Sequence, residues 1–260
     1  MNVRIRPADP SASRAARSRP AYLLRLLLVL VWAGLLTPVL TSCEEENLET
    51  QAPDRTPYTG EWSGQLMWGT LGPRDRVELT LRATAGSSAE TMEGSILFVT
   101  DQVRRPVTVQ WDRRAAKWNL TFNYPNASER NAVIGLSNNA LRLDYQDGAN
   151  QNYFANLNDA RDEWVGTWNG NLACVSGAGR SYAWAIRKTT SRTGLEIANA
   201  GAPGTVISQG DLREGRMTGN AAISSTSYNY TLSYVSFTSR LNIGATAVGT
   251  SDACTGDLSR

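Results

Sequence analysis

The chain has 260 residues, with 26 Lys and Arg, 24 Asp and Glu and no histidine, giving a formal net charge of +2. The missing histidine excludes Ser-His-Asp and Cys-His nucleophile pairs, and no glycine-rich loop opening a helix offers a phosphate cradle. The positive balance is local. Residues 1–42 hold six Arg and one acid, leaving 20 basic against 23 acidic residues in the other 218, so charge gives no reason to expect nucleic acid as a partner.

The N-terminal segment carries a basic region (Arg4, Arg6, Arg14, Arg17, Arg19, Arg25) followed by an apolar run from Leu26 to Leu36. Thr37 and Pro38 interrupt that run before it reaches the roughly 20 apolar residues a spanning helix needs, so residues 1–42 read as a signal peptide. Leu40-Thr41-Ser42-Cys43 resembles the lipobox of bacterial lipoproteins. The resemblance implies cleavage before Cys43, a diacylglyceryl thioether on its sulfur and an acylated amine, with palmitate among the chains. Several acyl chains anchor stably where one holds only marginally. The implied location is the cell envelope, lipid-anchored at the outer membrane and facing the periplasm or the surface. The other reading of these residues is an ordinary signal peptide with a cysteine nearby.

Residues 43–57 are polar and too poor in apolar side chains to order themselves, which predicts a flexible acidic tether. Its Glu44-Glu45-Glu46 cluster resembles export signals of surface-displayed lipoproteins in some Gram-negative bacteria, and equally fits a solvated charge run.

From residue 58 the dominant period is two, as in half-buried strands. Val77-Glu78-Leu79-Thr80-Leu81, Val107-Thr108-Val109-Gln110-Trp111, Trp118-Asn119-Leu120-Thr121-Phe122 and Leu141-Arg142-Leu143-Asp144-Tyr145 all alternate. With further strands near 58–68, 91–99, 131–136 and 151–157, and turn residues between them, residues 58–160 make one eight-stranded unit. Residues 161–260 repeat the plan, with strands near 164–174, 181–189, 193–200, 204–209, 215–223, 227–235, 238–249 and 253–259. Their core is expected from Trp164, Trp168, Trp184, Ile186, Leu195, Ile197, Met217, Ile223, Leu232, Leu241 and Ile243. The fold class is all-β: two small antiparallel up-and-down β-barrels in tandem duplication.

The duplication shows in one motif. Y-T-G-E-W-S-G-Q-L at 58–66 and W-V-G-T-W-N-G-N-L at 164–172 align at an offset of 106. Alternate positions share a strand face, so glycines separate large residues on the inward side, where they permit bending and leave room for a neighbouring ring. Gly60-Glu61-Trp62 and Gly166-Thr167-Trp168 resemble the Gly-x-Trp signature on the first strand of lipocalin-like barrels. The resemblance implies a Trp plug at one barrel end, often packed on an Arg from the last strand, for which Arg161 and Arg260 are the candidates by position. Each unit is shorter than a classical lipocalin, which puts a deep ligand cup in doubt.

With Cys43 lipidated, Cys174 and Cys254 form an even pair in an exported chain, and a disulfide is expected. They lie at the end of one strand and the start of the last, neighbours if the sheet closes, and Trp68 matches Cys174 in the first unit. Two thiols without histidine do not make a metal site, and no cofactor is expected. The carboxylates Asp101, Asp144, Asp147, Asp162, Glu163 and Asp211 fall in turns or connectors, so no enzyme is expected. The leading expectation is non-catalytic binding of a small apolar or carbohydrate ligand. The alternative is a structural or inhibitor-like lipoprotein whose filled barrels face another envelope protein. Tyr228, Tyr230 and Tyr234 share one face of a strand and are the ligand candidates, as a sugar-stacking row or as core. Arg104-Arg105 and Arg113-Arg114 are candidates for anionic headgroups or glycans.

Overall fold

The computed structural model describes residues 51–123, 129–147, 149–177, 179–223 and 226–260, with the side chains of Glu129 and Ile223 left aside. The expected signal peptide, Cys43 and the acidic cluster therefore lie outside the described residues. Barrel 1 is β1 (Gly60–Trp68), β2 (Pro73–Arg82), β3 (Thr91–Phe98), β4 (Val103–Asp112), β5 (Lys117–Asn123), β6 (Glu129–Ser137), β7 (Ala140–Gln146) and β8 (Asn152–Asp159). Barrel 2 is β9 (Gly166–Cys174), β10 (Arg180–Lys188), β11 (Gly194–Asn199), β12 (Ala202–Arg213), β13 (Arg216–Ile223), β14 (Thr226–Val235), β15 (Arg240–Ala247) and β16 (Ala253–Ser259). Each set pairs antiparallel in sequence order and closes on itself, β8 on β1 and β16 on β9. This is the tandem pair of up-and-down barrels that the period of two predicts.

Alternation decides the interior. In β4, Val107, Val109 and Trp111 point in; in β7, Leu141 and Leu143 do; all are buried, with polar neighbours between them facing out. The expected core of barrel 2 is buried at every described position, from Trp164 and Trp168 to Leu241 and Ile243.

The duplicated motif is a matched pair of devices. Trp62 Nε1 donates to the Tyr58 carbonyl at 2.8 Å, and Trp168 Nε1 to the Trp164 carbonyl at 2.7 Å, so each plug is latched four residues upstream. Gly60 and Gly166 hold φ of +137° and +144°, a conformation L side chains rarely adopt. Gly64 and Gly170 serve a different end from the one expected. A Cβ there would lie 2.3 Å from the Asn156 carbonyl oxygen and 2.1 Å from that of Asp257. The close neighbour is backbone across the closing seam, not an aromatic ring.

That seam is clasped differently in the two barrels. Cys174 and Cys254 are cross-strand partners in β9 and β16 and form a disulfide. The matching pair in β1 and β8 is Trp68 and Tyr153, whose rings lie parallel with centroids 6.4 Å apart. Aromatic bulk stands where the bridge would be.

The arginine expectations divide. Arg260 lies over the Trp168 ring at 4.6 Å and donates to the Glu163 carbonyl. Arg161 does not serve Trp62. It is buried, pairs with Asp159 at 2.7 Å and donates to the carbonyls of Ser191 and Gly194, because the short 3-10 turn Ala160–Glu163 aims it at the β10–β11 connection. The chain is held earlier than the strand pattern suggests. Arg55 donates to Ser87 Oγ and the carbonyls of Ser88 and Thr91, fixing the end of the expected tether to barrel 1.

The β12–β13 turn of barrel 2 rests on the outer wall of barrel 1. Glu214 N donates to Glu61 Oε2 at 3.0 Å, and Ser95 Oγ bonds Glu214 Oε1. Nearby, Glu163 accepts both from Arg76 at 2.6 Å and from Ser63 Oγ at 2.7 Å. This contact buries Glu61, an outward position of β1, to 5% exposure.

Candidate functional site

The plugged end of barrel 1 is closed by Trp62, Trp111 and Trp118, all buried, with Tyr58 over Trp118 at 5.7 Å between centroids, and a recess of about 280 Å³ remains beside Trp62 under the β6–β7 turn. The opposite end holds a cavity of about 390 Å³. Its floor is Leu66 and Phe98, its wall Tyr145 and Tyr153, and its rim Arg74, Asp75, Thr100, Asp101, Arg130 and Asp147. Below that floor Val77, Leu79, Leu120 and Leu143 are fully buried, so the barrel is filled through its lower part and open only at the mouth. A short barrel thus retains a shallow cup.

The cup exists because the inward series of three strands turns polar at the same end. β2 reads Asp75 before Val77 and Leu79, β4 reads Arg105 before Val107 and Val109, and β6 reads Arg130 before Ala132 and Ile134. A layer carrying these charges does not collapse on itself as an apolar layer does.

Aromatic side chains form an arc around the cup. Arg74 sits over Trp68 at 5.1 Å, Trp68 is parallel to Tyr153, and Tyr153 stacks on Tyr145 at 4.8 Å with 8° between planes. Tyr145 meets Phe122 edge-on at 5.8 Å, and Phe122 meets Phe98 at 5.7 Å.

The rim acids are committed to local donors. Asp75 accepts from Thr100 N and Oγ1. Asp101 accepts from Val103 N and pairs with the buried Arg105 at 2.9 Å. Asp147 accepts from Gln151 N, Ala149 N and Tyr153 Oη; the Gln151 amide is the main reason its carboxyl is held below the usual carboxylate range.

Barrel 2 differs. A recess of about 650 Å³ lies where β11 stops at Asn199, but its walls include both inward Tyr182 and Trp184 and outward Ser181 and Ala183, so it is a groove across the wall. A hollow of about 670 Å³ over Thr218, Asn220, Asn229 and Thr246 lies on the outer face.

No family model and no curated protein match the chain. Among solved structures it is similar to a protein of unknown function from the DUF3598 family of Nostoc punctiforme, at 11% identity over 81% of this chain and 99% of that one, with a TM-score of 0.29. A superposition that loose bears no functional argument, and the site is read from this chain's own side chains.

The tyrosine row of β14 turns inward. Tyr228 and Tyr230 are 7% and 4% exposed; Tyr228 Oη donates to Asp252 Oδ2, and Tyr230 Oη bonds Ser208 Oγ at 2.8 Å. Burial pushes both phenols up. Tyr234 packs on Trp164 and Trp168. Tyr228 and Tyr230 are core residues and Tyr234 packs half-buried against that core, so the three do not form an exposed row for stacking on a sugar. Three of the four doublet arginines are engaged, Arg104 with Glu78, Arg105 with Asp101 and Arg113 with Glu90, while Arg114 is exposed in the β4–β5 turn. Among the expected carboxylates, Asp144 pairs with Arg142, Asp162 with Lys188 and Glu163 with Arg76. The cup residues Arg74, Arg130, Tyr145 and Tyr153 were not singled out for binding by the sequence. The available signal was the charge opening the inward series of β2, β4 and β6.

Proposed function

We propose that the chain is a lipid-anchored envelope protein that catalyses no reaction and holds a small ligand in the cup of barrel 1. The observation that carries this reading is the cavity of about 390 Å³ with an apolar floor, an aromatic wall and a few polar groups at its rim. Small-molecule sites run from about 300 to 1,000 Å³ and have this mixture of linings. The lipobox-like Leu40-Thr41-Ser42-Cys43 supports anchoring through a lipidated Cys43, and the Gly-x-Trp plugs support a lipocalin-like plan in which one end is sealed and the other receives ligand.

Barrel 2 favours the second reading for itself. Its core is packed around Trp168, Leu212, Met217 and Leu232, its recess runs across the wall, and Val175 and Val248 are both more than half exposed at the end that carries the disulfide, which suits a scaffold facing another envelope protein. One chain then combines a ligand-holding unit with a partner-facing one.

Titration of the purified chain with the neutral fluorophore N-phenylnaphthylamine tests the cup. One saturable site per chain is expected, abolished by Leu66→Trp, whose indole projects into the cavity. A Leu66→Trp variant that folds and binds as before would overturn the reading. Cell fractionation tests the anchor: Cys43→Ser releases the protein from membranes, and continued membrane association removes the lipoprotein claim.

A further inference from the structure

Resting on the reading of the cup as a small-molecule site, we propose that it selects an anionic amphiphile, an apolar body bearing a carboxylate, sulfonate or phosphate head that Arg74 and Arg130 hold.

Hydrogen-bond supply and demand at the rim carries the inference. Five of the six carboxylate oxygens of the lining accept from fixed donors: Asp75 Oδ1 from Arg76 N and Thr100, both oxygens of Asp101 from Val103 N and Arg105, and both of Asp147 from Ala149 N, Gln151 N and Tyr153 Oη. The two lining guanidiniums are less committed: among the described residues neither makes a hydrogen bond or close ion pair, Arg74 lying over the Trp68 ring at 5.1 Å and Arg130 acting on Asp147 through its charge alone. Each guanidinium offers five donors in a planar fork that matches a carboxylate or phosphate. Formal charge balances once Arg105 is counted with its partner Asp101, so the recognition comes from uncommitted donors facing committed acceptors and not from net charge.

The aromatic arc points the same way. The Tyr153 ring has Tyr145 against one face and Trp68 against the other, and Arg74 covers Trp68. With both of its faces flanked, the Tyr153 ring offers a sugar no open platform. Leu66 and Phe98 beneath supply apolar surface for the body of the ligand.

A matched pair of probes tests this on the full purified chain. Anilinonaphthalene sulfonate differs from N-phenylnaphthylamine by its sulfonate alone. The sulfonate probe is expected to bind at least about tenfold tighter, because hydrogen bonds to charged groups are worth roughly 1.5–3 kcal/mol. Arg74→Gln and Arg130→Gln should each weaken it about tenfold and leave the neutral probe within about twofold, since neither arginine touches the floor. Equal affinity for the two probes, or a double variant that keeps sulfonate affinity, overturns the anion selectivity while leaving the cup in place. Binding of neither probe overturns the cup and the selectivity together.

Discussion

Glu61→Gln probes the contact between the barrels. The Glu61 carboxyl is enclosed, accepting from Thr80 Oγ1 at 2.7 Å and Glu214 N at 3.0 Å through Oε2, while Oε1 has no hydrogen-bond partner and Arg82 stands 3.9 Å away. Burial outweighs these donors and pushes the carboxyl up from 4.5 to about 7. The folded state therefore binds this proton more tightly than the unfolded chain. The stability it confers is complete below pH 4.5 and is lost as pH rises through about 7. A shift of this size corresponds to about 3 kcal/mol between the two limits, at 1.36 kcal/mol per pH unit. Glutamine keeps an acceptor for Thr80 and Glu214 and never ionises. Urea unfolding of both proteins at pH 5 and pH 8, followed by tryptophan fluorescence, should give similar stabilities at the lower pH. At the higher pH the variant should be more stable by up to about 3 kcal/mol. Parallel pH profiles for the two proteins would refute the argument that Glu61 is a desolvated acid held by the second barrel.

Two further substitutions address closure. Replacing both Cys174 and Cys254 with Ser opens a loop with a sequence separation of 80, and the chain-entropy model assigns it about 4–5 kcal/mol. Calorimetry should show a lowered transition for barrel 2, and a midpoint moved by less than about 2 °C would contradict a closing role. Gly64→Ala and Gly170→Ala drive a methyl into the opposite backbone and should each cost at least about 2 kcal/mol. Gly135→Ala meets nothing within 4 Å and should stay within about 0.5 kcal/mol, so equal effects at the three sites would sink the seam argument.

The barrels were legible because alternation is a local property. Val107, Val109 and Trp111 announce their face in five residues, and the duplicated motif gives the number of units. The cup was less legible, because it depends on register. Tyr145 and Tyr153 sit eight residues apart in sequence, and only the pairing of β7 with β8 stacks them, while the pairing of β8 with β1 adds Trp68. The tyrosines of β14 illustrate the converse. Their alternation was plain, but a shared face says nothing of which side of the wall it lies on until closure fixes the interior. Glu61 alternates with the inward Gly60 and Trp62 and so faces outward. Its burial comes from the β12–β13 turn, a tertiary contact between residues 153 apart in sequence.

The unlike clasps at the two seams make different demands on the surroundings. A ring stack between Trp68 and Tyr153 forms wherever the chain collapses, whereas the sulfur bridge between Cys174 and Cys254 requires an electron acceptor. The barrel synthesised first can shut without outside chemistry. The barrel synthesised last locks only where thiols are oxidised, so its rigidity depends on the redox state of its surroundings while that of its neighbour does not.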